Sequence, residues 1–311
     1  MQLIRGIGQL CADHQPSVVS IGNYDGVHKG HQHVISTLLA KSRELNAPST
    51  VITFEPLAKE FFRPGSVMRL TSLEERAELL FALGVDQVLC IDFTDEFSAY
   101  SPLRFVEDVL VNGLGAKYLC VGDDFRFGKD RTGDFAFLQQ AGTKHGFEVT
   151  AHETYTLSDQ RVSSGRVRDA ILGADFDLAE QLLGRPYTVT GTIERGQQLG
   201  RTIGFPTANV ALPNPLLAIN GVYAVSASLL GGNDLNANLT GVANVGLRPT
   251  VDGQDKRLEV HLFDFDQEIY GQTLQVQFHQ KIRDEHKFDS IELLKKQIAK
   301  DAEQALSYFS R

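Results

Sequence analysis

The densest cluster of residues that could perform chemistry is the sequence IGNYDGVHKGH, which ends at His31. Gly22, Gly26 and Gly30 would let the backbone turn sharply and approach a ligand closely. His28 and His31 are three residues apart, so at a helix start both imidazoles can face one phosphate group beside free backbone amides. Positive charge and hydrogen-bond donors placed there suit nucleotidyl transfer, in which charge grows on the α- and β-phosphates.

Two simpler interpretations of this segment remain open. It can be a tight strand-to-helix turn without a ligand, or His28, His31 and His33 can bind a metal ion. The metal interpretation is disfavoured because no cysteine or carboxylate nearby completes a ligand set. The interpretation as a turn without a ligand is weakened if this turn follows a strand of a parallel sheet, because ligands bind at the carboxyl ends of such strands.

A second cluster is the run Pro206-Thr-Ala-Asn209, which follows several glycines that include Gly200. Thr207 and Asn209 are two residues apart, so in an extended chain their side chains face the same side. A hydroxyl and an amide oxygen suit Mg²⁺, which takes few protein ligands and leaves the rest to phosphates and water. The glycines can equally be hairpin turns. The chain has no GxxxxGK[ST] phosphate-binding loop.

Glu259 is a candidate general base. It lies in a predicted strand whose alternate residues Leu258, Val260 and Leu262 are apolar, so Glu259 and His261 share the opposite face. That face can be an ordinary solvated surface. Alternatively, the carboxylate can accept a proton from an alcohol.

The composition limits the classes to which the chain can belong. Its 311 residues are 42% hydrophobic and 22% charged, which indicates a globular chain of about two domains. The net charge of −9 disfavours nucleic-acid and membrane partners but allows small anionic substrates. No run is apolar enough to span a membrane. Three cysteines without a CxxC pair and an N-terminus without an apolar signal region lead us to expect a cytoplasmic protein. Weak self-association is compatible with the sequence.

The elements that must position the first cluster alternate between strand and helix. Helix starts are predicted at Ser72, by a capping box, and at Ser101-Pro102. Such alternation predicts an α/β domain with a doubly wound parallel sheet, in which ligands bind at the carboxyl ends of the strands. The predicted strands are Val18–Ile21, Thr50–Phe54, Gln87–Ile91, Tyr118–Val121 and Glu148–Ala151.

The pattern changes after Gly184, where a domain boundary is predicted between residues 184 and 185. Beyond it, apolar and polar residues alternate with a period of two in short segments, and Gly, Asn and Pro separate these segments. This pattern indicates a small antiparallel β-barrel. The predicted strands are Tyr187–Ile193, Val222–Leu229, Leu258–Phe263 and Leu274–Phe278. A terminal helix is predicted from a cap at Asp289/Ser290, with a buried stripe of Ile291, Leu294, Ile298, Ala305 and Phe309.

Three motifs of the first half resemble nucleotidyltransferases with an HxGH motif, and more narrowly the adenylyltransferase half of bacterial bifunctional riboflavin kinase/FAD synthetases. They are GNYDGVHKGH, the loop VGDDFRFG after a predicted strand, and RVSSGRVR. Two positions depart from the family pattern. The family usually has SST where this chain has Ser163-Ser164-Gly165, and FEPHP where this chain reads FEPLA, with Leu57 and Ala58.

The second half resembles the riboflavin kinase module of the same family. The motifs GFPTAN, GVYA, GVANVG with RPT, and EVHLF occur in the family's order, followed by IRDEHKF and the terminal helix. The resemblance implies a six-stranded barrel in this half, and together the two resemblances cover nearly the whole chain.

The resemblance implies two reactions in sequence. In residues 185–311, Glu259 would take the proton of the terminal ribityl hydroxyl of riboflavin, which attacks the γ-phosphate of ATP to give FMN. In residues 1–184, the FMN phosphate would attack the α-phosphate of a second ATP, giving FAD and pyrophosphate, while His28 and His31 stabilise charge. Mg²⁺ would bind Thr207 and Asn209.

The resemblance also implies which residues contact the substrates. The implied ATP contacts are Gly22, Asp25, Gly30, Asp124, Arg161, Ser163, Ser164, Arg168, Gly200, Thr207 and Asn209. The implied flavin contacts are Pro56, Phe62, Phe127, Arg283 and Glu285.

Three other functions remain as alternatives. The first is a kinase whose adenylyltransferase half is weak or altered, which the two departures allow. The second is a flavin-binding or regulatory protein without turnover, against which the intact His28, Thr207 and Glu259 argue. The third is an HxGH nucleotidyltransferase for another substrate, such as pantetheine phosphate or nicotinate mononucleotide, which leaves the second half unexplained.

Overall fold

The computed structural model describes residues 1–122, 124–196, 200, 204–212, 219–230, 238–250 and 253–310. They form two compact units, one of Met1–Val67 with Thr71–Ser164 and one of Met68–Leu70 with Gly165–Arg311. The second unit begins before residue 185, because Phe176 packs against Tyr187 and Phe278. The functional boundary at 184/185 stays a prediction.

The first unit contains a six-stranded sheet in which all strands are parallel, as predicted. The edge strand β1 is not indicated by the sequence, since only one of its four residues is buried. The strand order is β1-β4-β3-β2-β5-β6. The strands are β1 (Gln2–Arg5), β2 (Ser17–Ile21), β3 (Ser49–Glu55), β4 (Gln87–Asp92), β5 (Ala116–Val121) and β6 (Glu148–Ala151).

The chain order of the sheet reverses at β2. This strand pairs with β3 on one side and with β5 on the other, so the crossovers on its two sides run in opposite directions. Open α/β sheets bind ligands outside the carboxyl ends of the strands at such a point. The loop from Gly22 to His28 follows β2 and therefore lies where the fold provides a crevice.

Helices cover both faces of the sheet, and two apolar clusters fill the space between them. Val34 and Leu38 pack in one cluster, while Leu110 and Leu138 belong to the other. The capping box of Ser72 with Glu75 and the cap of Ser101 before Pro102 are confirmed. The helices of this unit are α1 (Lys29–Leu45), α2 (Ala58–Phe62), α3 (Leu73–Ala82), α4 (Asp95–Ser98), α5 (Pro102–Phe105), continued by a π-helical segment (Val106–Gly113), and α6 (Phe135–His145). A short hairpin of β7 (Thr156–Leu157) and β8 (Gln160–Arg161) follows. The next helices in the chain, α7 (Ser164–Leu172) and α8 (Phe176–Leu183), belong to the second unit from Gly165 onward.

The second unit contains a closed six-stranded barrel, which confirms the predicted antiparallel architecture. The expected alternation is present, because Leu258, Val260 and Leu262 are buried while Glu259 and His261 are only partly covered. The barrel order is β10-β13-β12-β11-β14-β9. The strands are β9 (Thr188–Glu194), β10 (Ala208–Val210), β11 (Gly221–Leu230), β12 (Leu239–Thr250), β13 (Gly253–Leu262) and β14 (Thr273–Arg283).

The terminal helix α9 (Ile291–Phe309) packs on the barrel, and Ser290 caps it by accepting a hydrogen bond from the Leu293 amide at 3.2 Å. The predicted buried stripe is wrong at Ile291, whose side chain is 56% exposed. Burial is greatest at Asp301, Ala302 and Ala305, so the first turn lies away from the main contact with the barrel.

Candidate active sites

A cavity of about 350 Å³ opens at the carboxyl ends of β2, β5 and β6. It brings together residues from the three motifs, which lie at residues 22–31, 121–128 and 161–168 of the sequence. Two sequence predictions are thereby joined, since the histidine loop and the serine-rich helix start line one space. The predicted ATP contacts in its lining are Gly22, Gly30, Asp124, Arg161, Ser163 and Ser164, and the predicted catalytic residues are His28 and His31.

His28 and His31 are held together by the start of α1. His28 is the N-cap residue, and its Nδ1 accepts a hydrogen bond from the His31 amide at 3.2 Å. The two imidazoles stack with centroids 3.6 Å apart and planes inclined by 14°. Because Nδ1 of His28 is an acceptor, the proton of the neutral ring lies on Nε2.

The loop before α1 has an unusual backbone. Tyr24 and Val27 have φ angles of 49° and 40°, and a positive φ is costly for a β-branched residue such as Val27. The Tyr24 hydroxyl shares a 2.6 Å hydrogen bond with Ser20 on β2. The side-chain Nε2 of Gln32, on α1, donates to the Val27 carbonyl at 2.9 Å. The sheet and the helix thus fix the strained loop from both ends.

Asp25, a predicted ATP contact, is buried and does not line the cavity. Its carboxylate accepts hydrogen bonds from the Thr71 amide at 3.1 Å and hydroxyl at 3.3 Å. Its carbonyl accepts a hydrogen bond from the Ser164 hydroxyl at 2.9 Å. Asp25 therefore connects the histidine loop to the start of α3 and to the predicted serine clamp.

The charge state of the histidine pair follows from its surroundings. Burial, with the neighbouring His28, His152 and Arg76 as smaller causes, holds the pKa of His31 well below its usual value. His31 is therefore neutral at pH 7. Its Nδ1 atom is buried and has no hydrogen-bond partner in the described part of the chain. Near the pair, Arg161 lies 3.7 Å from Asp124 as an exposed ion pair.

The remaining predicted contacts of the first half lie outside this cavity. Arg168 donates its Nε–H to the Met68 carbonyl at 2.5 Å. Pro56 follows β3, and Phe62 is 65% exposed and meets Phe93 edge to face. Phe127 is buried in the core, where it stacks on Phe125 at 5.6 Å between centroids.

The cavity lining also includes residues that the sequence analysis did not single out, among them Phe125, His152 and Tyr155. Phe125 belongs to the loop after β5, and the other two follow β6. The signal that could have found them is their position just after the carboxyl ends of parallel strands.

In the barrel, the strand register places five residues in one row around the outer surface. Asn209 on β10 is directly opposite Glu259 on β13, which is opposite Asn244 on β12. The row continues to Val222 on β11 and ends at Arg283 on β14. Directly paired residues project to the same side of a sheet. Asn244 was not predicted, because only the register reveals its place beside Glu259.

Two cavities flank this row. One of about 210 Å³ is lined by Glu259, Arg283 and Glu285, and also by the predicted Gly200. The other, of about 280 Å³, is lined by Asn209 and by residues around Tyr270. Thr207 lines both cavities and therefore marks the place where they meet.

The Thr207–Asn209 pair fits Mg²⁺ by its donors and by the space around it. A Cβ atom on Gly196 would lie 2.3 Å from Nδ2 of Asn209, and one on Gly200 would lie 3.2 Å from Oγ1 of Thr207. These glycines therefore leave room beside two neutral oxygen donors, the ligand type that Mg²⁺ accepts together with phosphates and water. The described residues contain no group of three or more His, Cys, Asp or Glu side chains that could hold a metal ion.

Comparisons with known proteins match the two halves of the chain separately. Residues 10–166 match the family model described as FAD synthetase, and residues 183–309 match the model described as riboflavin kinase. Across the described chain, no helix has the length and hydropathy needed to cross a bilayer.

Similarity extends over the whole chain. The bifunctional riboflavin kinase/FMN adenylyltransferase of Pseudomonas fluorescens is 47% identical over 302 residues, which cover 97% of this chain and 96% of that protein. The Escherichia coli K12 protein of the same description is 45% identical and covers 99% and 98%. The crystal structure of a macrolide-efflux protein from Streptococcus pneumoniae has a TM-score of 0.79 at 30% identity and 97% coverage of both chains. The chain therefore belongs to the family of bifunctional riboflavin kinase/FMN adenylyltransferases.

Proposed function

We propose that this chain converts riboflavin to FMN in its barrel and FMN to FAD in its parallel-sheet domain, with ATP as co-substrate of both steps. The observation that carries the proposal is the row from Asn209 through Glu259 to Arg283, which lies between two cavities that meet at Thr207. One cavity would hold the nucleotide and the other the flavin. We further propose 184/185 as the boundary between the two activities, which the two family matches support.

In the kinase step, the cavity beside Arg283 and Glu285 receives the flavin, so its ribityl chain extends toward Glu259. The Glu259 carboxylate accepts the proton of the terminal hydroxyl as the oxygen attacks the γ-phosphorus of ATP, and ADP leaves. Thr207 and Asn209 would hold Mg²⁺, which supplies charge neutralisation for the transferring phosphoryl group. The protein otherwise acts by positioning the two substrates in line.

In the adenylyl-transfer step, the triphosphate of ATP binds across the start of α1, where Gly22 and Gly30 allow close approach. The FMN phosphate is already ionised, so its oxygen attacks the α-phosphorus without a general base, and pyrophosphate leaves. His28 donates from Nε2, and the unsatisfied Nδ1 of His31 is available to a ligand group. Ser163, Ser164 and Arg161 would hold the departing phosphates.

The flavin contacts of the first half are proposed from the aromatic cluster beyond β3. Phe62 is exposed, and its neighbours Phe61 and Phe93 meet it edge to face. An exposed aromatic side chain can cover a flat ring system, and Pro56 lies in the link between β3 and the helix α2 that carries Phe62. Phe127 is buried, so we propose that it acts by supporting Phe125, which faces the cavity.

One chromatographic time course tests both activities. Purified protein is incubated with riboflavin, ATP and Mg²⁺, and the flavins are separated at intervals. FMN that rises and then gives way to FAD would support both steps and their order. FMN that accumulates without FAD would leave the kinase alone and implicate Gly165 and the Leu57-Ala58 change. Absence of FMN, with added FMN also unconverted, would favour a flavin-binding protein without turnover.

A further inference from the structure

Arg283, the last residue of β14, lines the cavity that is proposed for the flavin. Its guanidinium is held by one residue of α9, Asp301. Nε of Arg283 lies 3.0 Å from both Oδ1 and Oδ2 of Asp301, and Nη2 lies 2.8 Å from Oδ2. This two-point contact fixes the plane of the guanidinium as well as its position.

Asp301 is itself fixed in place. Its side chain is only 3% exposed, and Oδ1 also accepts a hydrogen bond from Nε2 of Gln297 at 2.8 Å. Gln297 lies one helical turn earlier on α9, so the carboxylate is held within its own helix as well as by the barrel strand. A buried carboxylate of this kind is stable only while an opposite charge compensates its own and hydrogen-bond donors occupy its lone pairs.

The guanidinium retains donors for a ligand. Nη1 of Arg283 donates to the Asp284 carbonyl at 2.9 Å, so together with the Asp301 contacts three of the five N–H groups are used within the described chain. The same cavity contains two other carboxylates, Glu259 and Glu285. A guanidinium without the Asp301 contact would be attracted to either of them, and pairing with Glu259 would occupy the proposed base.

From this geometry we infer that Asp301 is a positioning residue of the kinase site. Asp301 orients the Arg283 guanidinium toward the flavin cavity and prevents it from pairing with Glu259. The inference rests on the proposed function of the barrel. It assigns a role in substrate binding to the terminal helix, because α9 supplies Leu294, Ile298 and Asp301 to the cavity wall. The ligand that Arg283 would meet is riboflavin, whose carbonyl oxygens accept hydrogen bonds.

Asp301→Asn tests the inference because it keeps the side-chain volume and removes the charge. We expect the KM for riboflavin to rise about tenfold or more, since a charge-assisted two-point contact is lost, while kcat changes less. FAD formation from added FMN should be unchanged. Glu303→Gln, an exposed position on the same helix, removes the same charge and should leave both activities unchanged.

A double-substitution cycle separates positioning from general stability. Arg283→Lys keeps the charge but loses the planar fork. If Asp301 acts through Arg283, Asp301→Asn should have little further effect on the riboflavin KM in the Arg283→Lys background. Additive effects, or an unchanged KM in the single Asp301→Asn variant, would overturn the inference.

Two controls complete the test. Riboflavin binding to the unsubstituted chain is measured first by quenching of flavin fluorescence, and failure of that binding would count against the proposed function itself. If Asp301→Asn does not fold, Gln297→Leu removes only the hydrogen bond to Oδ1. It should raise the riboflavin KM by a smaller factor, and an unchanged KM in that variant would also refute the inference.

Discussion

The His31 amide donates a hydrogen bond to Nδ1 of His28, and the two rings lie face to face with their centroids 3.6 Å apart. The same contact caps α1 and fixes the tautomer of His28. This one hydrogen bond therefore forms the helix start at which both rings line the cavity, and it leaves the proton of the neutral His28 ring on Nε2.

His28→Ala is expected to lower FAD formation by about 10²-fold or more, the usual effect of removing one donor that stabilises a transition state. FMN formation should be unchanged, since His28 belongs to the first compact unit and the proposed kinase residues to the second. The two rates are measured separately, with riboflavin or FMN as substrate.

His28→Asn is the matched variant, because Asn also accepts at a helix N-cap. It should retain the thermal stability of the unsubstituted chain and still lose FAD formation. Loss of both activities in a folded His28→Ala protein would contradict the proposed separation of the two sites.

His31 predicts a pH dependence of stability. Its pKa in the folded state is well below the unfolded value of about 6.5, mainly because of burial. The unfolded chain therefore binds more protons in this window, and the free energy of unfolding should decrease as the pH falls below about 6.5. Above that pH the contribution of neutral His31 is fully present.

Denaturant titrations at pH 8 and pH 5.5 measure this dependence. His31→Gln cannot be protonated, so its free energy of unfolding should fall less between these two pH values. His145→Gln, at the end of α6, serves as a histidine control. Equal losses in the unsubstituted chain and in His31→Gln would show that His31 is not the titrating group.

The sequence predicts the architecture well where the pattern is local. The five strands predicted in the first half are all present within two residues at each end, because buried parallel strands are short apolar runs between helical segments. β10 has only three residues, and the sequence predicts no strand there beyond an extended conformation at Thr207–Asn209. Ile291 is misassigned, since a periodic stripe does not show where along a helix the contact with the barrel begins.

The sites are less accessible to sequence reasoning. Alternation places Glu259 and His261 on one face, and that is confirmed. The register between neighbouring strands, which sequence spacing does not encode, sets Asn244 beside Glu259 and Arg283 two strands further on. Likewise, Asp25 has the residue type of a ligand contact, but its side chain is used to hold Thr71.

Glu259→Gln should lower FMN formation by about 10²-fold or more, because the amide fits the same place but cannot take the hydroxyl proton. FAD formation from added FMN should be retained. His261→Gln is the neighbouring control on the same face, since His261 is already used in a contact between Nδ1 and the Pro206 carbonyl at 2.8 Å. Kinase activity that survives in Glu259→Gln would remove Glu259 as the base.

Removal of Mg²⁺ by a chelator should abolish FMN formation, and Thr207→Val should raise the Mg²⁺ concentration needed for half-maximal kinase rate. Valine keeps the shape of threonine but lacks the hydroxyl donor that suits this cation. Thr192→Val, on the neighbouring strand β9, is a shape-matched control, because Thr192 lines neither cavity. An unchanged Mg²⁺ requirement in Thr207→Val would place the metal elsewhere.

Gly165 offers a gain-of-function test of the departure from the family's SST pattern. It is the second residue of α7, directly after Ser164, whose hydroxyl is used in a hydrogen bond to the Asp25 carbonyl. A threonine there would add a free hydroxyl at a helix N-terminus, where anions bind. Gly165→Thr is therefore expected to raise the rate of FAD formation or to lower the KM for ATP in that step. Gly165→Ala separates this chemistry from backbone effects, because alanine favours the helical conformation over glycine without adding a hydroxyl. If both substitutions change FAD formation equally, the missing hydroxyl has no role in adenylyl transfer.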